Sequence, residues 1–147
     1  MKRERGFSLL ELLIVVAIIL IIATIAIPSL LRSRQAANES SAVANLRTLN
    51  TAEVTYLSSA AGNYGGISDL ITAGLIDNRF NSAVSGYSFT VSNSGSNYTG
   101  FAYPTSANSG RYGYYTLPDA VIRFDNGTGA ANCSPCYPTG LSGQAVP

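Results

Sequence analysis

Residues 5–34 read "RGFSLLELLIVVAIILIIATIAIPSLLRSR". Between Phe7 and Ile27 the chain is nearly all Leu, Ile, Val and Ala, and this run decides the fold. Its 21 residues, rising about 1.5 Å each, make a helix about 30 Å long, enough to cross a bilayer. Lys2, Arg3 and Arg5 precede it, so the positive-inside rule predicts a cytoplasmic N-terminus. Two residues do not belong to a plain span. Glu11 lies inside the run, where a carboxylate costs roughly 2.5–3.5 kcal/mol at mid-bilayer on insertion scales. Gly6 stands alone between the basic cluster and the apolar run. A cleaved secretory signal would show a shorter apolar core and then a small-residue cut site, whereas "IATIAIPSLL" stays hydrophobic. A membrane anchor alone leaves Glu11 without a role.

The rest of the chain leaves room for one modest domain of roughly 100 residues. Its net charge of +1 hides an asymmetry. Without residues 1–6, six Arg face seven Asp and Glu, a balance of −1. That is no footprint for nucleic acid, which calls for a clustered basic face. Beyond the apolar run the sequence is rich in Ser, Asn, Thr, Gly and Tyr, a polar, weakly charged surface common outside the cytoplasm. There is no histidine, no pair of acids at a readable spacing and no phosphate-binding glycine loop. The chain is therefore expected not to be an enzyme, and no cofactor or metal is expected.

Pro28 removes an N–H that would bond the Thr24 carbonyl, which bends a helix or ends it. Continuation is expected, because "SLLRSRQAANESSAVANLRTLNTAEVTYLSSA" keeps good helix formers and a helical stripe. At 100° per residue, Val43, Leu46, Leu49, Val54 and Leu57 fall within about 140° of arc, with Thr48, Thr51 and Thr55 opposite. Gly62 then terminates the helix. "ISDLITAGLID" (67–77) predicts a short helix with Ser68 as N-cap and Leu70, Ile71 and Leu75 turned inward. After it the period changes to two. Strands are predicted at 86–91, 97–103, 111–117 and 120–124, the first two joined as a hairpin through "SNSGSN", with "DNGTG" (125–129) as a turn after the last. The fold class is α+β: a long N-terminal helix, half membrane-grade and half amphipathic, packed on a small antiparallel sheet. Four short strands need that helix for a core.

The opening stretch resembles the N-terminus of type IV pilins and their type II secretion pseudopilin relatives. There, a short basic leader ends in Gly, Phe or Met follows, Glu is the fifth mature residue, and a proline interrupts a long apolar helix. Gly6, Phe7, Glu11 and Pro28 fall on those positions. The resemblance implies that prepilin peptidase cuts between Gly6 and Phe7 and methylates the new Phe7 amine. It divides the chain into a leader (1–6), a transmembrane and assembly half-helix (7–28) and a periplasmic or extracellular head (29–147). Cleavage would create a cation at Phe7, and a charge in an apolar medium is kept only when paired. Glu11, one turn away, can meet the Phe7 amine of its own chain or of a neighbour in a bundle, and Pro28 would kink or locally melt the helix.

The implied function is a filament subunit that polymerises through its N-terminal helix. Implied partners are further copies of the chain, the peptidase and an inner-membrane assembly platform. The subunit would sit in the inner membrane, N-terminus cytoplasmic, before entering a surface or periplasm-spanning filament. A pseudopilin or minor pilin of a secretion or DNA-uptake machine is the alternative within this architecture, and a monomeric membrane-anchored binding domain the alternative outside it. "YGGISDLITAGLIDNRF", "SGYSFTVS" and "VIRFDNGTGA" resemble the soluble part of small bacterial pilin-like proteins more loosely. Major pseudopilins usually carry a Pro-Trp-Gly stretch and an Asp-rich calcium loop. This chain has no tryptophan, and only Asp119 and Asp125 flank a candidate loop, which favours pilin over pseudopilin.

Cys133 and Cys136 form a C-x-x-C in a Gly/Pro-rich tail. No helix signal follows to make it a redox motif, and two thiols without histidine do not complete a zinc site. A local disulfide is expected, worth roughly 2 kcal/mol or less for so small a loop; pilins often close a C-terminal loop this way, usually a longer one. The nine tyrosines and five phenylalanines fall mostly at strand positions and are read as packing residues rather than as a conductive or adhesive array. Asn38, Asn97, Asn126 and Asn132 begin N-x-S/T triplets, which chance explains in a chain of this composition.

Overall fold

Helix α1 (Leu9–Ser59) runs continuously through Pro28, as its helix-forming composition predicts. The structure, a computed structural model, describes residues 7–125 and 144–146. The Gly6 cleavage position, the Cys133–Cys136 pair, Asn126, Asn132 and the "DNGTG" turn beyond Asp125 lie outside the described residues. The chain divides into two units, Met1–Ser33 and Arg34–Pro147. In the first, the described residues are the apolar part of α1 and its lead-in, exposed along their length except for a half-buried Ala23.

In the second unit the C-terminal part of α1 lies against a five-stranded antiparallel meander of order β1-β2-β3-β4-β5. The strands are β1 (Tyr87–Ser94), β2 (Asn97–Pro104), β3 (Gly113–Thr116), β4 (Ile122–Asp125) and β5 (Gln144–Ala145). Phe89, Ala102 and Tyr114 stand in register and bury against Ala42, Leu46 and Leu49 of α1. Leu46 and Leu49 are fully enclosed, each contributing about 1.5–3 kcal/mol by burial. Gly100 leaves room for the Thr116 side chain of its cross-strand partner, beneath Leu46 of the helix. A Cβ there would meet Thr116 Cγ2 at 3.0 Å and Leu46 Cδ2 at 3.8 Å.

The buried face of α1 differs from the predicted stripe. Leu46 and Leu49 are buried and Val43 packs at the margin, but Val54 is exposed and Leu57 only half-buried. The face is rotated toward Ala42, Asn45, Ala52 and Glu53, and it takes in four polar residues, Glu39, Asn45, Asn50 and Glu53. Each has a partner on the head. Glu39 holds Arg111, whose Nη2 donates at 2.9 Å, and the Asn45 carbonyl accepts from Arg79 at 3.2 Å. Asn50 accepts from the Tyr98 hydroxyl at 2.9 Å and donates to the Ala120 carbonyl at 3.3 Å, and Glu53 accepts the Gly65 N–H at 3.1 Å. Thr48, Thr51 and Thr55 are exposed as expected and bond back to the preceding helical turn. At the C-terminus Gly62, at φ +82°, donates to the Leu57 carbonyl at 3.1 Å, closing a Schellman-type end.

Helix α2 (Ile67–Thr72) is shorter than predicted and starts two residues earlier than a Ser68 cap would allow. Gly66 is its N-cap, and the Asp69 carboxylate reaches back to the Gly66 N–H at 2.8 Å. Gly74, at φ +70°, turns the chain out of the helix, and a 3-10 turn (Asn78–Asn81) follows. Leu70 is buried, with Ile71 and Leu75 packed at its edge, so the inward set is as predicted.

The strands also shift. β1 extends to Ser94 because the ladder engages backbone whatever the side chains, and Gly95–Ser96 closes the predicted hairpin with Gly95 at φ +58°. β3 loses Arg111 and Tyr112 because the Arg111 N–H goes to Glu39 and the Tyr112 carbonyl to the Tyr87 hydroxyl. β4 begins after a turn at Ala120, whose φ is +58°. β5 has no counterpart among the predicted strands, since two residues display no period.

Candidate functional site

The expected site residues that the structure describes, Phe7, Glu11 and Pro28, lie in the first unit. Ser8 precedes the first helical residue, which makes Glu11 the third position of the first turn. The Glu11 Oε2 accepts the Ser8 N–H at 2.9 Å, and the Ser8 carbonyl accepts the Leu12 N–H at 3.2 Å. This is one arm of a capping box. A carboxylate at N3 satisfies a backbone donor that the helix start leaves open, and its charge sits at the positive end of the helix dipole. The S-x-x-E spacing of Ser8 and Glu11 is legible in the sequence, but the apolar surroundings draw attention to the cost of the charge instead. The bond turns the carboxylate back toward Phe7, the neighbour of Ser8. In the unprocessed chain the Phe7 nitrogen is a peptide nitrogen, and an amine arises there only by cleavage.

From Phe7, 77% exposed, to Leu31, 38% exposed, the large apolar side chains of the run are uncovered. Monomeric soluble proteins rarely show such a contiguous patch, and one this long marks a membrane or protein interface. The helix is long and apolar enough to cross a membrane. Pro28 sits within it and carries no N–H for the Thr24 carbonyl, while the Thr24 hydroxyl donates to the Ile21 carbonyl at 2.8 Å. Beside Pro28, Ala26, Ile27, Ser29, Leu30 and Ser33 line an open groove of about 430 Å³.

Elsewhere the singled-out residues are engaged in structure. Asp119 is held by Arg123 at 2.6 Å, which keeps its carboxyl below the ordinary range, and it also accepts the Val121 N–H. Its oxygens thus have partners, and among the described residues no group of three or more His, Cys, Asp or Glu is placed to hold a metal. Tyr87, Tyr98, Tyr114 and Tyr115 are buried, and burial raises the hydroxyl pKa of Tyr87, Tyr98 and Tyr114. The Asn38 amide donates to the Ser109 carbonyl at 2.8 Å, while Asn97 pairs with Ser94 beside the exposed hairpin turn.

The site is thus an uncovered apolar helix with one carboxylate in its first turn, preceded in the sequence by three basic residues. Residues 1–27 match the family model described as "Prokaryotic N-terminal methylation motif". Among known proteins, the chain is 48% identical over 56 residues to the type IV major pilin protein PilA of Myxococcus xanthus, covering 38% of this chain and 26% of that protein. It is 50% identical over 46 residues to the type IV wide pilus major component PilA4 of Thermus thermophilus, covering 31% of this chain and 35% of that protein. The matches thus span about a quarter to a third of those relatives' length.

Proposed function

We propose that the chain is the structural subunit of a type IV pilus-like filament. The observation that carries this reading is the run from Phe7 to Leu31, whose large apolar side chains are uncovered, with a carboxylate placed in the first turn of α1. The methylation motif over residues 1–27 and the likeness to two pilins support it. In this reading prepilin peptidase removes residues 1–6 and methylates Phe7. The mature helix waits in the inner membrane, N-terminus cytoplasmic, with residues 29–147 outside as the head. An assembly platform then transfers it into a filament whose dry core is built from Leu and Ile of neighbouring copies, with Pro28 allowing the helix to bend. The chain works by packing, not by catalysis.

Glu11 is the residue that couples processing to packing. Its Oε2 is engaged with Ser8, so the other oxygen is left for the Phe7 amine. In a low dielectric that attraction is strong, and any register that leaves either charge alone is penalised. Coexpression with a prepilin peptidase, followed by mass spectrometry and electron microscopy, tests the whole reading. A methylated Phe7 terminus on subunits recovered from fibres is the expected result. An intact Met1 terminus on a chain that never leaves the membrane would overturn it in favour of an anchored binding domain.

A further inference from the structure

Glu53, near the end of α1, is 0% exposed. Its Oε2 accepts the Gly65 N–H at 3.1 Å, and its Oε1 is fully buried with no hydrogen-bond partner. Both ion pairs among the described residues lie elsewhere, on Glu39 and Asp119, so no cation among the described residues compensates Glu53. The charged group facing it from α2 is the Asp69 carboxylate, of like sign. From β2 it faces the Tyr98 hydroxyl, itself beside Tyr64 and Asp119. On α1 the Tyr56 ring stands against Gly65. Burying an ionised carboxylate in such a setting costs more than giving it a proton.

We propose that Glu53 carries a proton in the folded head and serves as a pH-sensitive latch on the loop Ala60–Gly66. The proton belongs on Oε1, since Oε2 is the acceptor for Gly65. The latch holds more than one amide. Gly66 is bonded to Asp69 at 2.8 Å, the Tyr64 N–H donates to the Gly95 carbonyl at 2.9 Å, and the Asn93 amide donates to the Tyr64 carbonyl at 3.0 Å. The loop therefore ties the end of α1 to the start of α2 and to the tip of the β1–β2 hairpin. It is shut tightly, because a Cβ at Gly65 would meet the Tyr56 ring at 2.9 Å. Once Glu53 ionises, solvation of the carboxylate requires the loop to lift, which frees Tyr64 and the hairpin tip together.

The sign follows from the direction of the shift. Burial, the largest cause, and then Asp69 raise the Glu53 pKa above its ordinary 4.5, against an opposite pull from the Gly65 N–H that does not cancel them. The unfolded chain ionises first as pH rises. The stabilising preference for the protonated fold is complete below 4.5 and is lost as pH rises through the folded value.

The full chain in detergent micelles tests the latch independently of any filament, so its failure and that of the proposed assembly are separate results. Infrared spectra with ¹³C-labelled glutamate, titrated upward from acid pH, are expected to show a protonated carboxyl band that persists beyond the ordinary glutamate range, survives in Glu11→Gln and is absent in Glu53→Gln. Amide exchange at Tyr64 and Gly65, corrected for its intrinsic pH dependence, is expected to accelerate at least tenfold toward alkaline pH in the wild type and to stay flat in Glu53→Gln. A wild-type band that titrates away within the ordinary glutamate range, or loop exchange that never accelerates, would overturn the latch. Both wild-type measurements remain decisive if the Gln variant does not fold.

Discussion

At Glu11 a single carboxylate satisfies an open N–H group of a helix start and, in the proposed filament, would also meet the charge that processing creates at Phe7. These two roles separate experimentally. Glu11→Ala should be cut at Gly6 as efficiently as the wild type, because the cut precedes the helix, yet fibre yield should fall at least tenfold. Wild-type yield of fibres by electron microscopy would show that charge pairing does not guide packing. A second test at this scale concerns Gly110, whose missing side chain makes room for the Tyr87 ring and hydroxyl. Gly110→Ala should destabilise the head by about 1–3 kcal/mol through overpacking. Gly74→Ala meets no neighbour but must adopt φ +70°, and should cost about 1 kcal/mol. Thermal melts of the two variants rank the effects, and a Gly110→Ala melt no lower than that of Gly74→Ala would contradict the packing argument.

At the scale of elements, the rotation of the α1 face carries the most information. Periodicity places apolar residues well and assumes that acids and amides face water. Here the head supplies partners from loops and strands far along the chain: Arg111, Arg79, Tyr98 and Gly65. None of these pairings has a local sequence signal, so neither the shift toward Asn45 and Ala52 nor the burial of Glu39, Asn50 and Glu53 was legible. Asn50 is the bolt of this face, joining α1 both to β2 and to the turn before β4. Asn50→Ala should cost about 1–3 kcal/mol for each of its two stranded partners. Val54→Ala, on a side chain 54% exposed, should stay within about 0.5 kcal/mol. Denaturant melts of the full chain in detergent compare them directly. Equal losses would restore the predicted stripe. The ends of α2 and β3 moved for similar reasons: Asp69 capping Gly66, and Glu39 drawing the Arg111 N–H out of the ladder.

At the scale of the whole molecule, the two units differ in how they treat apolar surface. The second encloses its own core around Leu46, Leu49, Leu70 and Phe80, with Tyr87 and Phe89 from the sheet. The described part of the first encloses nothing of its own. A fragment starting at Arg34 should therefore be soluble, monomeric and cooperatively folded in plain buffer, whereas the full chain should need detergent, a membrane or further copies of itself. Sedimentation and thermal melting of both forms check this. A fragment that aggregates or melts without cooperativity would mean that the head depends on residues before Arg34.

The sequence by itself determined the apolar helix, its Glu11, its passage through Pro28, the change from helical to alternating period, and the motif that ties these to pilins. All are local: composition, spacing and period need no partner to be read. Tertiary structure alone decided which side of α1 is buried, where strands stop, and that β5 exists, because those outcomes depend on groups distant in the chain competing for the same donors and acceptors. It also revealed Glu53 as a buried carboxylate with no cation beside it among the described residues. In the sequence it is one more acid on an amphipathic helix, and only the fold buries it, with the Gly65 N–H bonded to it.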